Sequence, residues 1–501
     1  MTGSTPPRHS AEGTGLRARA VGVVPIAFIS LATIAPAASL YAGMLLVAPY
    51  GKGSTPFAVV LSLFACLMVA ISIGQMARHL PSAGGLYTYV VAGLGRTAGF
   101  LVGWIYLFAY VLLPTLAALI FGFAVGGYLQ HAFSFPTWTW LPIVVVSTLL
   151  AAALAHRGIR QSSYVGIILG VFEIVIFGAI ALTLIAKAGP ANTASVFLPA
   201  GAGVFPAMIF IVLNFIGFES SVALAEEADL PRRTVPKAVI GSCLTAGGFY
   251  LLCYYAATVF FGPGQFGGTA FTSLGGGNPW GGMAAEVWGP AAILASFAVW
   301  SAQAANVNAS INPPSRVLYA LARARLLPAP LARVQPEHQT PSVAILGLGG
   351  FSVVLAIVLP TVLGSPLLAF ALLGTVLTLM LILVYMGTCA SCIVYYLRKQ
   401  RGEFRPLMHL VFPLLGIAIF VPVFIAALGI DFAGLGIAPL ERPLSLAPWI
   451  VAGWLALGIV YLTRLRRAKP EAIDEMGVSH SSEDPPVVPP AQGMAAEALG
   501  L

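Results

Sequence analysis

The sequence predicts an all-α polytopic membrane protein of about 12 transmembrane helices. Three observations carry that expectation. Of 501 residues, 58% are hydrophobic and only 8% charged, where a soluble chain would carry roughly a quarter charged residues. The apolar runs are long and continuous, unlike the short alternating segments of barrel strands. The basic residues gather in alternate connections between those runs, as membrane orientation requires. The net charge of +8 is thus a matter of orientation, and no nucleic-acid partner is expected.

In chain order the apolar runs place spans near 21–49, 56–77, 98–128, 138–155, 163–186, 205–228, 237–261, 287–313, 342–361, 366–397, 407–429 and 445–463. With both termini cytoplasmic, the inner segments hold every Lys and Arg except Lys52, Lys187 and Arg442. That asymmetry sets the orientation in the cell (inner or plasma) membrane and supports an even number of spans. The first run is about twice as long as the roughly 7–15-residue core of a signal peptide, so it reads as span one. Residues 1–19 are expected to be a disordered cytoplasmic N-terminus and 466–501 a disordered cytoplasmic tail; from 470 onward there are six acids and no Lys or Arg. Between them, 20–465 read as one transmembrane domain. Every loop is shorter than the roughly 50 residues a small soluble domain needs.

Enzyme chemistry finds no foothold. The cysteines Cys66, Cys243, Cys253, Cys389 and Cys392 all fall within spans and read as small buried hydrophobes, Cys389 and Cys392 included despite their C-x-x-C spacing. The seven His residues show no metal-ligand spacing. No Walker loop and no G-x-S-x-G elbow occurs. No cofactor and no metal are expected.

Chemistry concentrates where apolar spans are interrupted. In "NFIGFESSVALAEEADLPRR" (Asn214–Arg233), Glu219 follows Gly217 by two residues inside span six. A carboxylate at mid-bilayer costs about 2.5–3.5 kcal/mol and should face a cavity or a partner. Gly217 weakens the helix, and freed backbone groups are tolerated only where protein or water satisfies them. Span one carries "TIAPAAS" (Thr33–Ser39) at similar depth, where Pro36 removes a donor and disfavours helix at Ala35. The two breaks lie five spans apart, matching places in two inverted five-helix repeats, which is the sequence pointer to a transporter's central site. They are expected to be non-helical and to face each other across a cavity. Half-helix N-termini suit a carboxylate and half-helix C-termini an ammonium, so the pair suits a zwitterion, most simply an amino acid. The substrate-binding residues read from this are Ile34, Ala35, Ala37, Ala38 and Ser39 on span one, with Phe215, Gly217, Phe218 and Glu219 on span six.

The run "GFESSVALAEEADLPRRTVPKAV" (Gly217–Val239) resembles the sixth-span signature of the amino acid–polyamine–organocation (APC) permeases. "RHLPSAGGLYTYVVAGLGRTAGFLVGW" (Arg78–Trp104) resembles their loop leading into span three, and "SRVLYALARARLLPAPLARV" (Ser315–Val334) their segment after span eight. The chain departs from the pattern twice: Ala324-Arg325 stands where Asp-Gly is usual, and the first-span break is Pro-centred and Ala-rich where Gly is common. The resemblance covers roughly 20–465. It implies a five-plus-five inverted repeat core (LeuT-type) with two extra C-terminal helices, and alternating access driven by an ion gradient or by exchange. It also implies a gate in the charged cluster of Arg78, Glu226, Glu227, Arg232 and Arg316, whose other reading is a solvated loop where exposed pairs contribute about 0–1 kcal/mol.

Glu173 in span five is the second buried acid. It lies thirteen residues past Arg160, about 20 Å along the helix. Some members similar to this chain place a Lys at the matching point. Low-dielectric burial favours the protonated form of a carboxyl, so Glu173 is assigned to coupling, with a proton, a sodium ion, a substrate amine and a purely structural role all open to it. Gln303, Asn306 and Ser310 share one face of span eight; Asn306 and Ser310 join the coupling set, with interhelical hydrogen bonding as the alternative. The reading is a secondary active transporter of an amino acid or related amine in the lipid bilayer, proton-coupled and not an enzyme. A polyamine or ethanolamine permease or exchanger is the alternative.

Overall fold

The computed structural model describes residues 22–81, 85–158, 163–225, 228–323, 327–430 and 436–468, and every regular element among them is a helix. The first apolar run forms α1 (Val23–Ile34) and α2 (Pro36–Gly51), with Ala35 alone between them. There follow α3 (Thr55–His79), α4 (Gly85–Leu94), α5 (Arg96–Phe133), α6 (Trp140–His156) and α7 (Ser163–Ala188). Helix α8 (Val204–Phe215) stops short and the chain resumes as a 3₁₀ segment over Phe218–Leu224. Beyond it come α9 (Pro231–Phe261), α10 (Thr269–Thr272), α11 (Pro279–Trp288), α12 (Ile293–Ser310) and α13 (Asn312–Arg323). The last four are α14 (Ser342–Leu363), α15 (Pro366–Arg398), α16 (Phe412–Ala427) and α17 (Ala447–Ala468).

Eleven helical segments among the described residues are long and apolar enough to cross a membrane. The first, Pro36–His79, is 44 residues long, which as one rod would be about 66 Å, twice a hydrocarbon core of about 30 Å. It is not one rod. Lys52 takes a left-handed φ of 44° after α2, and α2 and α3 both pack on α8, a helix of 12 residues. The chain therefore folds back, α2 completes span one, and α3 is span two. Counted this way, each of the twelve expected spans has its helix.

One element differs from the expectation. The stretch Arg78–Trp104 reads as a loop leading into span three, yet it contains α4, whose 10 residues span only about 15 Å. Leu86, Tyr89 and Val90 are buried, and Gly93 lies so close to α15 that an added Cβ would stand 2.5 Å from the Ser391 Cα. Close backbone approach at a small residue docks this short helix onto α15, and such packing leaves no mark in hydropathy. The predicted terminal tails lie outside the described residues.

Helix α15 runs through the centre, buried over most of its length. Around it α3 and α9 cross closely, with Gly74 against Pro236 and Gly247 against Leu63. The outer faces are apolar: Val354, Val358 and Val362 recur at helical spacing on α14 and are at least half exposed, as lipid contact requires. Helix α17 is stapled to α5 by two indoles that each donate to the other's backbone carbonyl, Trp104 Nε1 to Trp454 O at 2.8 Å and Trp454 Nε1 to Trp104 O at 2.9 Å. All five cysteines are free and buried.

Candidate substrate site

The break in span one is a single residue. Ala35 adopts left-handed backbone angles, φ 47° and ψ 68°, a conformation that costs an L-residue about 1–2 kcal/mol. Pro36 then opens α2 at the position where its missing N–H is not needed. The kink leaves the Ile34 carbonyl free of the helix ladder, and Ser39 Oγ donates to it at 2.7 Å. The first turn of α2 presents the amides of Ala37 and Ala38, both buried, without carbonyls four residues back. Of the stretch expected to unwind, Thr33–Ser39, only Ala35 leaves the helix.

The break in span six is wider. Helix α8 ends at Phe215, Ile216 is extended in ψ, and Gly217 takes φ 114°. At the end of α8, Leu213 O accepts from Ile216 N–H at 3.3 Å and Asn214 O accepts from the Tyr250 hydroxyl at 2.8 Å. Glu219 turns back so that its Oε2 accepts from Gly217 N–H at 3.0 Å. The two breaks touch directly, where open space between them is the expectation. A Cβ on Gly217 would lie 3.0 Å from Thr33 Cγ2 and 3.2 Å from Ile34 N. Ser221 N–H and Ser220 Oγ both donate to Ser30 Oγ, at 3.1 and 3.2 Å. Glycine and short hydroxyl side chains permit that approach.

Opposed helix ends therefore share one level: the N-terminus of α2, with partial positive charge, and the C-terminus of α8, with partial negative charge. Glu219 is half-buried beside an exposed Thr33, with its Oε2 held by the Gly217 amide. Tyr106 and Tyr110 of α5, Tyr385 of α15, Cys66 of α3 and Cys243 of α9 surround it. Among the described residues these surroundings hold hydroxyls and thiols and no basic side chain.

Two contributors, Asn214 and Gly43, escape a sequence reading. Asn214 crosses the site: the network assigns its Nδ2 as donor to Ser39 O at 3.0 Å and Phe210 O at 3.2 Å, with Oδ1 accepting from the Tyr254 hydroxyl at 3.1 Å. Gly43 lies against Asn214 and Tyr254 with no room for a Cβ. Gln303, expected on the polar face of span eight, makes an interhelical bond: its Nε2 donates to Ala38 O at 3.1 Å, and its buried Oε1 has no partner among the described residues. An isolated Asn in an apolar run is a signal for the first; nothing in the sequence marks Gly43.

The expected coupling residues do not gather. Glu173 is on the inward face of α7 with Phe177, Ile180 and Leu184, and is 4% exposed. The ring of Phe172 meets that of Phe297 on α12 at 5.9 Å, which sets Glu173 at the level of Phe297. Asn306 and Ser310 lie nine and thirteen residues further along α12, about 14 and 20 Å away along the axis. Ser310 Oγ donates to Val307 O of its own helix at 2.7 Å. Of the expected gate, Glu226 and Glu227 lie outside the described residues. Arg78 ends α3, Arg232 opens α9 and Arg316 lies on α13; among the described residues none of the three forms an ion pair.

Comparison with known proteins adds a family. A model of the amino acid permease family, AA_permease_2, matches residues 21–459. The chain is 29% identical to the branched-chain amino acid permease BcaP of Bacillus subtilis, over 62% of this chain and 68% of that one. It is 26% identical to the low-affinity putrescine importer PlaP of Escherichia coli, over 48% of this chain and 53% of the other, so it spans about half the length of that relative. Among solved structures, a manganese transporter of Eremococcus coleocola in complex with an aromatic bis-isothiourea compound aligns with a TM-score of 0.48 and 14% identity, over 93% of this chain and 99% of that one.

Proposed function

The chain belongs to the amino acid permease family, and on that premise we propose that it is a secondary transporter moving an amino acid of neutral, largely apolar side chain across the cell membrane by alternating access. The observation that carries this reading is the meeting of two broken helices with opposed ends at Ala35–Ser39 and Phe215–Glu219. The substrate carboxylate is held by the amides of Ala37 and Ala38 at the start of α2. Its ammonium faces the Phe215 and Ile216 carbonyls at the end of α8 and the Glu219 carboxylate. Ile34, Ala35, Ser39, Gly217 and Phe218 shape the backbone around it.

The tyrosines and cysteines about Glu219 favour an uncharged side chain, because a cationic one would need a further acid at that level. The putrescine-importing relative keeps a diamine as the second reading, in which Glu219 holds one ammonium. The termini face the cytoplasm, because the loops on that side carry nearly all the Lys and Arg. Arg78, Arg232, Arg316, Glu226 and Glu227 form an inner gate by pairing when the inner path is shut. Glu173 carries the coupling proton, while Asn306 and Ser310 line the inner part of the path.

Purified protein in sealed vesicles should accumulate labelled leucine, isoleucine or valine against a concentration gradient when the lumen is alkaline. Equilibration without accumulation would reduce the reading to a facilitator. Selective uptake of putrescine would replace the neutral substrate with the diamine.

A further inference from the structure

Two adjoining clefts open on the face that carries the basic loops, on either side of the end of α15. One, of about 440 Å³, is lined by Tyr396, Leu397, Arg398, Arg401 and Phe404. The other, of about 260 Å³, lies between α4 and α15, with Leu94, Gly95, Arg398 and Lys399 in its wall. Arg398 borders both. Its guanidinium and the Lys399 ammonium form no ion pair among the described residues. Arg401 is steered by donation from Nε to Leu397 O at 2.7 Å, which leaves its terminal nitrogens free of that bond. The acid closest in sequence, Glu403, has its Oε2 3.2 Å from His79 Nε2 and lines neither cleft.

Three cations thus border two clefts whose linings, among the described residues, contain no carboxylate. Two wall residues are apolar and face outward: Leu94 is 41% and Leu397 43% exposed. The clefts sit at the end of a 33-residue helix, at about 50 Å long enough to cross the hydrocarbon core and both headgroup layers. A soluble anion would use the cations but gain nothing from the exposed leucines. A lipid uses both, its phosphate on the arginines and its acyl chains on the apolar wall.

We propose that these clefts bind the headgroup of an anionic phospholipid, with Arg398 as the shared phosphate ligand, Lys399 and Arg401 as flanking cations, and Leu94 and Leu397 against the chains. Because α4 docks on α15 through Gly93 and Ser391 at the same place, the bound lipid braces that joint.

The test is native mass spectrometry of the full-length protein released from vesicles holding equal phosphatidylglycerol and phosphatidylcholine, beside the Arg398→Gln/Arg401→Gln variant. Wild type should retain phosphatidylglycerol preferentially. The double variant should lose that preference by about 30-fold, the size expected when two basic residues worth about 1 kcal/mol each leave an anionic surface. Arg323→Gln/Arg333→Gln, on α13 and in the stretch after it, changes residues that line neither cleft and should retain it. Equal retention of the two lipids by wild type, or undiminished preference in the double variant, overturns the proposal, and it needs no variant to fold for the first of these. A thermal-shift titration separates the sources: stabilisation by inorganic phosphate alone, equal to that by phosphatidylglycerol, would make the ligand a soluble anion and overturn the lipid assignment.

Discussion

Two residues at the breaks share a left-handed backbone and respond oppositely to substitution. Gly217 has φ 114° and also lies against the span-one backbone, with Ile34 N and Thr33 C each 3.2 Å from where a Cβ would stand. Gly217→Ala therefore meets two penalties, about 1–2 kcal/mol for the backbone and a contact that neither backbone can relieve by rotating a side chain. Uptake by this variant should fall at least about tenfold, with the melting temperature lowered by several degrees on the scale of about 2–4 °C per kcal/mol for larger domains. Ala35, at φ 47°, already bears the backbone cost. Ala35→Gly removes it and should raise the melting temperature, or at worst leave it unchanged because glycine loses more chain entropy. Ala35→Val adds a β-branched side chain at the same angles and should lower it. The three melting curves, read beside uptake, test whether the geometry of the breaks is a property of the folded protein. A destabilised Ala35→Gly would contradict the left-handed assignment.

At the scale of elements, the breaks belong to helices that would otherwise run through the bilayer. Pro36 keeps α1 and α2 apart by lacking an N–H and by disfavouring helix at Ala35. Pro36→Ala lets the helical ladder close across Ala35, which withdraws the Ala37 and Ala38 amides from a ligand. Transport should fall much further than the amount of protein in the membrane; wild-type uptake would remove the amides from the site. The spans themselves were legible because lipid demands unbroken apolar runs, and the breaks because Pro and Gly punctuate them. The width of each break was not legible: one left-handed residue suffices at Ala35, and no pattern in Ile34–Ser39 says so. The contact of Gly217 with Thr33 joins positions far apart in sequence and has no periodicity to announce it. Helix α4 was hidden for a similar reason, being short, glycine-flanked and held by Gly93 against α15. Asn306, Ser310 and Glu173 appeared as one group because helical spacing fixes which face a residue takes but not its depth against a neighbouring helix.

For the whole molecule the question is whether a site within the bilayer is tied to an ion gradient. Glu173 is the carboxyl suited to that task by position: it is buried on α7, forms no ion pair among the described residues, and sits on a helix that packs against both α1 and α2. Movement of the broken span relative to α7 changes what surrounds the carboxyl, and a carboxyl whose hydration changes can take a proton on one side and release it on the other. Glu173→Gln preserves shape and most hydrogen bonding but cannot titrate near neutral pH. If Glu173 carries the proton, that variant should lose accumulation driven by a pH gradient while still exchanging labelled for unlabelled substrate across the vesicle membrane. Its exchange rate should also be flat with pH where wild type is not. Glu173→Lys adds a fixed positive charge in place of a titrating acid and should likewise exchange without accumulating. Accumulation by Glu173→Gln with unchanged pH dependence would leave the residue a structural one. If wild-type accumulation instead follows a sodium gradient at constant pH, and Glu173→Gln abolishes that response, the same carboxyl binds sodium and the proton has no part in coupling.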